Sequence, residues 1–262
     1  MNSRFFFQLK TFITYWLDAV GEHSLHSPFF FDLYSTAFKA KDGDKKSAEI
    51  ESLRQQFLRD HSRIAITDLG AGSNRLQNSS RAINDIARTS LSPKKYSLLY
   101  QNLIKRFDKP VVLELGTSLG INTLYLAQPD GSHVTTFEGS STIAGRAQQL
   151  FAVAGSGNIT LILGNLEHTL PAHLQSVNRV DFVFLDANHR YAPTIQYFQQ
   201  VIKKAHQHSV FVLDDIHYSP EMENAWNTIK NHDSVHATAD LYRCGIVFFD
   251  PSLNDQHLVL QF

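Results

Sequence analysis

The sequence predicts an open α/β sheet, mostly parallel, with an antiparallel last strand pair and a helical N-terminal extension. Three observations carry that prediction. From about residue 108, short apolar and β-branched runs alternate with helix-length segments, the pattern of a parallel sheet covered by helices on both faces. The last two runs lie too close together for a parallel crossover, which needs about a dozen residues or more. Ahead of them all, apolar residues recur at three- and four-residue steps, as on one face of a helix.

In chain order, Phe5, Leu9, Phe12, Ile13, Trp16, Leu17 and Val20 share that helical face, and Gly21 ends the pattern. The stripe is expected to pack on the main domain as a lid or brace, with a membrane-surface face or a dimer face as alternatives. Ser27 and Pro28 read as an N-cap and a first helical position. Residues 39–63 are dense in charge, yet Ile50, Leu53, Phe57 and Leu58 keep a helical stripe, so a solvated helix with one buried face is expected. The domain expectation is therefore a helical extension or lid over 1–63 and a main domain over 64–262. The run from Ile64 ends in Gly70-Ala-Gly72-Ser73, read as a tight turn feeding a long polar helical stretch with Arg75, Arg81 and Arg88. Strands are expected at Val111–Leu115, Val134–Phe137, Ile159–Leu163, Val180–Leu185 and Val210–Leu213. Helices are expected over 121–128, 141–154, 167–176 and 191–207. One more helix near 221–230 precedes the antiparallel pair His236–Leu241 and Gly245–Phe249.

Composition removes several function classes. With 24 Lys+Arg against 25 Asp+Glu and a net charge of −1, the chain lacks the electrostatic footprint of a dedicated nucleic-acid binder. Its 43% apolar and 19% charged content is globular material. The lone Cys244 can form neither an internal disulfide nor a thiolate zinc site, which fits a reducing compartment. No stretch approaches the roughly 20 apolar residues that span a bilayer. Lys10 and Asp18 interrupt the apolar start, and no small-residue cleavage site follows it. The expectation is a cytoplasmic protein with no membrane association.

In open α/β sheets, ligands bind beyond the carboxyl ends of strands. Two glycine-rich turns compete for that place, Gly70–Ser73 and Glu114-Leu-Gly116-Thr-Ser118-Leu-Gly120-Ile-Asn122. A ribose-binding loop requires a following helix and then a strand ending in an acid, roughly 20 residues on. Only the second turn meets this, through Glu138, 24 residues beyond Glu114. Its glycines are not spaced as in the dinucleotide fingerprint. A carboxylate two residues before the first glycine opposes a pyrophosphate and favours a cationic ligand. S-adenosylmethionine, with a positive sulfonium and amino group and no phosphate, suits it.

Two further strand ends carry Phe184-Leu-Asp186-Ala-Asn-His189 and Val212-Leu-Asp214-Asp215-Ile-His217. On adjacent parallel strands these side chains converge. Three neighbouring carboxylates repel one another and raise their pKa values unless a cation compensates, and Mg²⁺ or another hard divalent cation is the natural compensation. The bland alternatives are that Asp186 orients the ligand's amine, that an Asp of the pair caps a helix, and that the histidines are surface residues.

Taken together, Glu-Leu-Gly-Thr-Ser-Leu-Gly, Phe-Glu138, Gly164-Asn165 and Phe-Leu-Asp186 resemble the class I S-adenosylmethionine-dependent methyltransferases of Rossmann-like fold, over about residues 90–250. The resemblance is to the O-methyltransferase branch related to catechol O-methyltransferase. It implies S-adenosylmethionine as cofactor, with Glu114, Gly116, Ser118 and Gly120 around the methionine portion and Asn122 nearby. It further implies Glu138 at the ribose hydroxyls and Asn165 beside the adenine, where relatives often carry Asp or Ser. Metal-dependent relatives place a divalent ion on residues matching Asp186, Asp214 and Asp215, with a lysine as base three residues after the first Asp. Here that position is His189, itself a competent base near neutral pH. The expected activity is O-methylation of a small-molecule acceptor, with Asp186 and His189 as the catalytic pair and a divalent metal as an option. Whether His189 or His217 is the base stays open, and so does a homodimer through the N-terminal helices. A nicotinamide dehydrogenase would need Gly-x-Gly-x-x-Gly after its first strand, which is absent. A non-catalytic S-adenosylmethionine-binding protein is the remaining rival, which turnover with any acceptor would exclude.

Overall fold

The structure, a computed structural model, describes residues 3–39, 45–67 and 78–262. The expected Gly70–Gly72 turn lies outside the described residues. The chain divides into two compact units, a terminal one of Met1–Lys39 with Asn178–Phe262 and a central one of Ala40–Val177.

The terminal unit begins with helix α1 (Ser3–Asp18) and helix α2 (Pro28–Leu33), the latter with Ser27 at its N-cap position, without a side-chain capping bond, and Pro28 at its start as the sequence indicates. The apolar stripe of α1, expected to face the protein, instead faces solvent, with Trp16 and Leu17 each 68% exposed. The reason is that the opposite face is tied down by polar groups. Gln8 donates to the Tyr218 carbonyl at 3.1 Å, and Tyr15 donates to the Leu260 carbonyl at 2.8 Å. Tyr242 donates to the Gln8 carbonyl at 2.9 Å, and Thr11 is buried.

The central unit runs α3 (Lys45–Arg59), β1 (Arg63–Thr67), β2 (Asn78–Ala82), α4 (Ile83–Ser90), α5 (Lys94–Ile104), β3 (Val111–Leu115), α6 (Ile121–Leu126), β4 (His133–Glu138), α7 (Ser141–Val153), β5 (Ile159–Leu163) and α8 (Leu166–Ser176). Strands β3, β4 and β5 are parallel neighbours in that order, each pair joined by a helix, as the alternating pattern requires. Ile50 of α3 packs with Ile121, Leu124 and Tyr125 of α6 and with Leu150 and Phe151 of α7, so the charged helix does bury its stripe. One expectation fails here. Asn78–Ala82, read as part of a polar helix, pairs antiparallel with β1. Its Ser and Arg residues show no strand alternation; the unpaired backbone edge of β1 decides the conformation, because an open edge templates pairing whatever the side chains.

The terminal unit resumes with β6 (Phe182–Leu185), α9 (Tyr191–Val201), β7 (Val210–Asp214), α10 (Pro220–Lys230), β8 (Ala237–Asp240), β9 (Cys244–Phe248) and β10 (Gln256–Val259). Strands β6 and β7 are parallel, and β9 runs antiparallel to both β7 and β8, as expected for the last pair. Strand β10 is an addition, parallel to β8; four residues split between polar and apolar types leave no periodic signal. Gly245 of β9 is required by close approach, because a Cβ there would sit 2.5 Å from the ring of the buried Trp226.

Candidate active site

In the central unit the chemistry collects where β3 and β4 end. The turn after β3 takes left-handed backbone at Gly116, Ser118 and Gly120, with φ of 108°, 49° and 83°. Gly120 starts α6, and a Cβ on it would meet the Phe151 ring at 2.6 Å, so both conformation and space demand glycine. The amides of Gly116 and Thr117 donate to the Phe137 carbonyl of β4, and Leu119 is fully buried. The turn is thereby held as a rigid cradle.

Glu114 lies beneath it, fully buried. Asn122 donates to Oε1 at 3.0 Å, while Thr136 at 2.7 Å and the Thr123 hydroxyl donate to Oε2. Ser97 in turn donates to Asn122, which fixes the amide's orientation. Burial pushes the Glu114 carboxyl up to about 7, against the lowering effect of the three donors, and the charge of Glu138 adds to the rise. Glu138, at the end of β4 as expected, accepts the Ser118 amide at 3.0 Å and the Ser140 amide at 2.9 Å, one on each oxygen. Burial also raises its pKa, against the lowering effect of the backbone amides. Between these groups, the Ser118 hydroxyl is buried without a hydrogen-bond partner. Asn165 caps α8, its Oδ1 accepting the Glu167 amide at 2.9 Å.

In the terminal unit, the ends of β6 and β7 bring Asp186 and Asp215 to His189. The turn after β6 is left-handed at Asn188 and His189, with φ of 68° and 36°. It swings the imidazole between two carboxylates, with Nε2 3.5 Å from Asp186 and Nδ1 3.9 Å from Asp215. Burial lowers the His189 pKa; Asp215 opposes the shift, and Arg243 and Arg4 reinforce it. The ring is therefore neutral at neutral pH and able to accept a proton.

Asp214 is 1% exposed and accepts Nη2 of Arg243 at 2.8 Å. Burial raises its carboxyl to about 7, despite Arg243. Arg243 comes from the tight turn between β8 and β9, where Tyr242 is left-handed at φ 65°. His217 does not join His189. Its Nε2 lies 2.9 Å from Asp240, which also accepts the Trp226 indole N–H at 3.2 Å.

A divalent ion on Asp186, Asp214 and Asp215 does not fit this donor set. The buried member already has a cation, Arg243, and among the described residues no group of three or more His, Cys, Asp and Glu side chains is arranged to hold a metal. The glycine cradle fits a cofactor better. The unpartnered Ser118 hydroxyl and the spare lone pairs of Glu138 are acceptor and donor capacity that a polar ligand would use. Arg243 and Asp240 were not identified as ion-pair partners from sequence. Pairing across a sheet leaves no spacing signal.

Residues 113–216 match the family model of a methyltransferase domain, a stretch that runs from β3 through the Asp214-Asp215 pair. No curated protein sequence matches the chain. Solved structures resemble it in fold. An SAH-bound methyltransferase from Podospora anserina aligns at TM-score 0.58 and 13% identity, covering 86% of this chain and 97% of its own. A putative caffeoyl-CoA O-methyltransferase from Staphylococcus aureus aligns at 0.57 and 16%, covering 84% and 97%. The O-methyltransferase of tomaymycin synthesis from Streptomyces achromogenes, solved with SAM, aligns at 0.55 and 16%, covering 84% and 95%. Residues 113–216, which include both strand-end clusters, thus match a methyltransferase domain, and the chain has the fold of S-adenosylmethionine-dependent O-methyltransferases.

Proposed function

We propose that the protein transfers a methyl group from S-adenosylmethionine to an oxygen of a small-molecule acceptor, in the cytoplasm. The observation that carries this is the rigid glycine cradle with its unpartnered Ser118 hydroxyl beside Glu138, at the ends of consecutive parallel strands. Near-neutral charge supports a small-molecule acceptor over a nucleic acid. The N-terminal extension, residues 1–63, is assigned to acceptor selection, and 64–262 to the methyltransferase domain.

The cofactor, when bound, supplies an electrophilic methyl on a sulfonium. Gly116, Ser118 and Gly120 would hold its methionine portion and Glu138 its ribose hydroxyls, with Asn165 at the base. Glu114 is a positioning residue. It has no exposed surface, so it acts by fixing Asn122 and Thr123 at the start of α6 and by placing negative potential under a cationic ligand. His189 takes the acceptor proton, held in place by Asp186 and Asp215. Asp214 and Arg243 set the field around it, with Arg243 in the cationic role assigned to a metal in metal-dependent relatives. No step needs a divalent ion.

Calorimetric titration with S-adenosylhomocysteine, with NAD as control, tests the cofactor assignment. Micromolar binding without a NAD signal is the expected result. Absence of binding would reduce the glycine turn to scaffold and remove the proposal's foundation. Methyl transfer undiminished by a chelator is expected once an acceptor is found.

A further inference from the structure

A helix on a protein surface ordinarily turns its apolar stripe inward. Helix α1 does the reverse. Its polar side is anchored by Gln8 and Tyr15, with Thr11 buried there, while Phe5, Phe6, Leu9, Ile13, Trp16 and Leu17 point away, each 44–68% exposed. No ionised side chain lies among these six. With aromatic side chains burying about 150–250 Å² each, the stripe offers on the order of 700 Å² of removable surface, close to the roughly 800 Å² per partner of a standard interface.

The stripe is also symmetric. Its members fall into three pairs equidistant from Thr11, namely Phe5 with Leu17, Phe6 with Trp16, and Leu9 with Ile13. Two copies of α1 laid antiparallel about a two-fold axis at Thr11 would place each residue opposite its pair in the other copy, which is the self-complementarity an isologous interface requires. Each aromatic then meets an aliphatic or another aromatic, and the helix dipoles oppose. A membrane surface fits less well. An interfacial helix carries Lys and Arg on its polar face, whereas here that face is used for docking, and its Arg4 is stacked 3.4 Å over the Tyr218 ring.

We propose that α1 is a homodimerisation helix that pairs antiparallel with α1 of a second copy of this chain. The full-length protein should sediment as a dimer at micromolar concentration. Trp16→Glu and, separately, Leu17→Glu should shift the dimer dissociation constant by about 100-fold or more. Both residues are exposed, so thermal unfolding should stay cooperative in the resulting monomer, which separates lost pairing from lost fold. Oxidation should crosslink a Leu9→Cys/Ile13→Cys double variant into a covalent dimer. A Leu17→Cys single variant should stay uncrosslinked, its two thiols lying about 18 Å apart along antiparallel helices. The native Cys244 is buried and does not interfere. A monomeric wild-type chain, a dimer indifferent to Trp16→Glu and Leu17→Glu, ready crosslinking at Leu17→Cys, or a monomer captured by anionic phospholipid vesicles would each overturn the proposal.

Discussion

Two buried carboxylates stand at the carboxyl ends of parallel strands, one in each unit, and they are stabilised in opposite ways. Glu114 in the central unit is surrounded by three neutral donors, Asn122, Thr123 and Thr136. Asp214 in the terminal unit is paired with a cation, Arg243. Burial raises both carboxyls to about 7. The contrast shows what each site can still accept. Neutral donors satisfy the geometry of Glu114 and leave its charge uncompensated, so a cationic ligand above the cradle gains from it. Asp214 already has its counter-charge on Oδ2, while its Oδ1 is buried without a hydrogen-bond partner.

Substitutions that exchange these arrangements test the comparison. The largest effect is expected at His189, which neither carboxylate can replace. His189→Ala should slow methyl transfer about 10²–10⁴-fold while S-adenosylhomocysteine affinity, measured by calorimetry, stays unchanged. A matching loss of affinity would place His189 in cofactor binding instead. In the parent enzyme, the rate should fall as pH drops and His189 protonates. The lowered pKa puts that acid limb below the ordinary histidine value of about 6.5.

Arg243→Ala leaves Asp214 buried without its cation and should cost about 3 kcal/mol in urea denaturation at neutral pH. Part of the loss should be recovered in an Arg243→Ala/Asp214→Asn double variant. If the double variant is no more stable than the single one, the pair is not what holds Asp214. At Glu114 the sign of the pH dependence is the test. The folded carboxyl binds its proton up to about 7, against 4.5 for the ordinary group, so the cofactor-free protein loses stability as pH rises between those values. The loss from this group is about 3 kcal/mol, and Glu114→Gln should remove it. The remaining slope belongs to Asp214 and Glu138, both shifted in the same direction. A Glu114→Gln protein with an unaltered stability–pH curve would contradict the buried charge. The smallest effect is expected for Gly120→Ala, about 1–3 kcal/mol from the left-handed backbone and the Phe151 contact. It should be accompanied by weaker S-adenosylhomocysteine binding.

Much of this was legible in the chain itself. Alternating apolar runs marked β3 to β7 within a residue or two, since a strand buried on both faces must be apolar throughout and its neighbours must be helices. The same spacing located Gly116, Gly120 and Glu138, because a turn and the next strand's end are tied by the length of one helix. Asp186 and Asp214-Asp215 were found by the same rule, being residues that follow adjacent strands.

Tertiary structure alone decided the rest, wherever a partner comes from a distant part of the chain. Arg243 reaches Asp214 from 29 positions along the chain, and His217 is drawn to Asp240 rather than to His189. Asn78–Ala82 becomes a strand because β1 has a free edge, against its own side-chain pattern. The stripe on α1 is the clearest case. Periodicity shows that Phe5, Leu9, Ile13 and Trp16 share a face, but not which way the face points. That direction is set by where the carbonyls of Tyr218 and Leu260 meet Gln8 and Tyr15, bonds that form only once both ends of the chain are folded together.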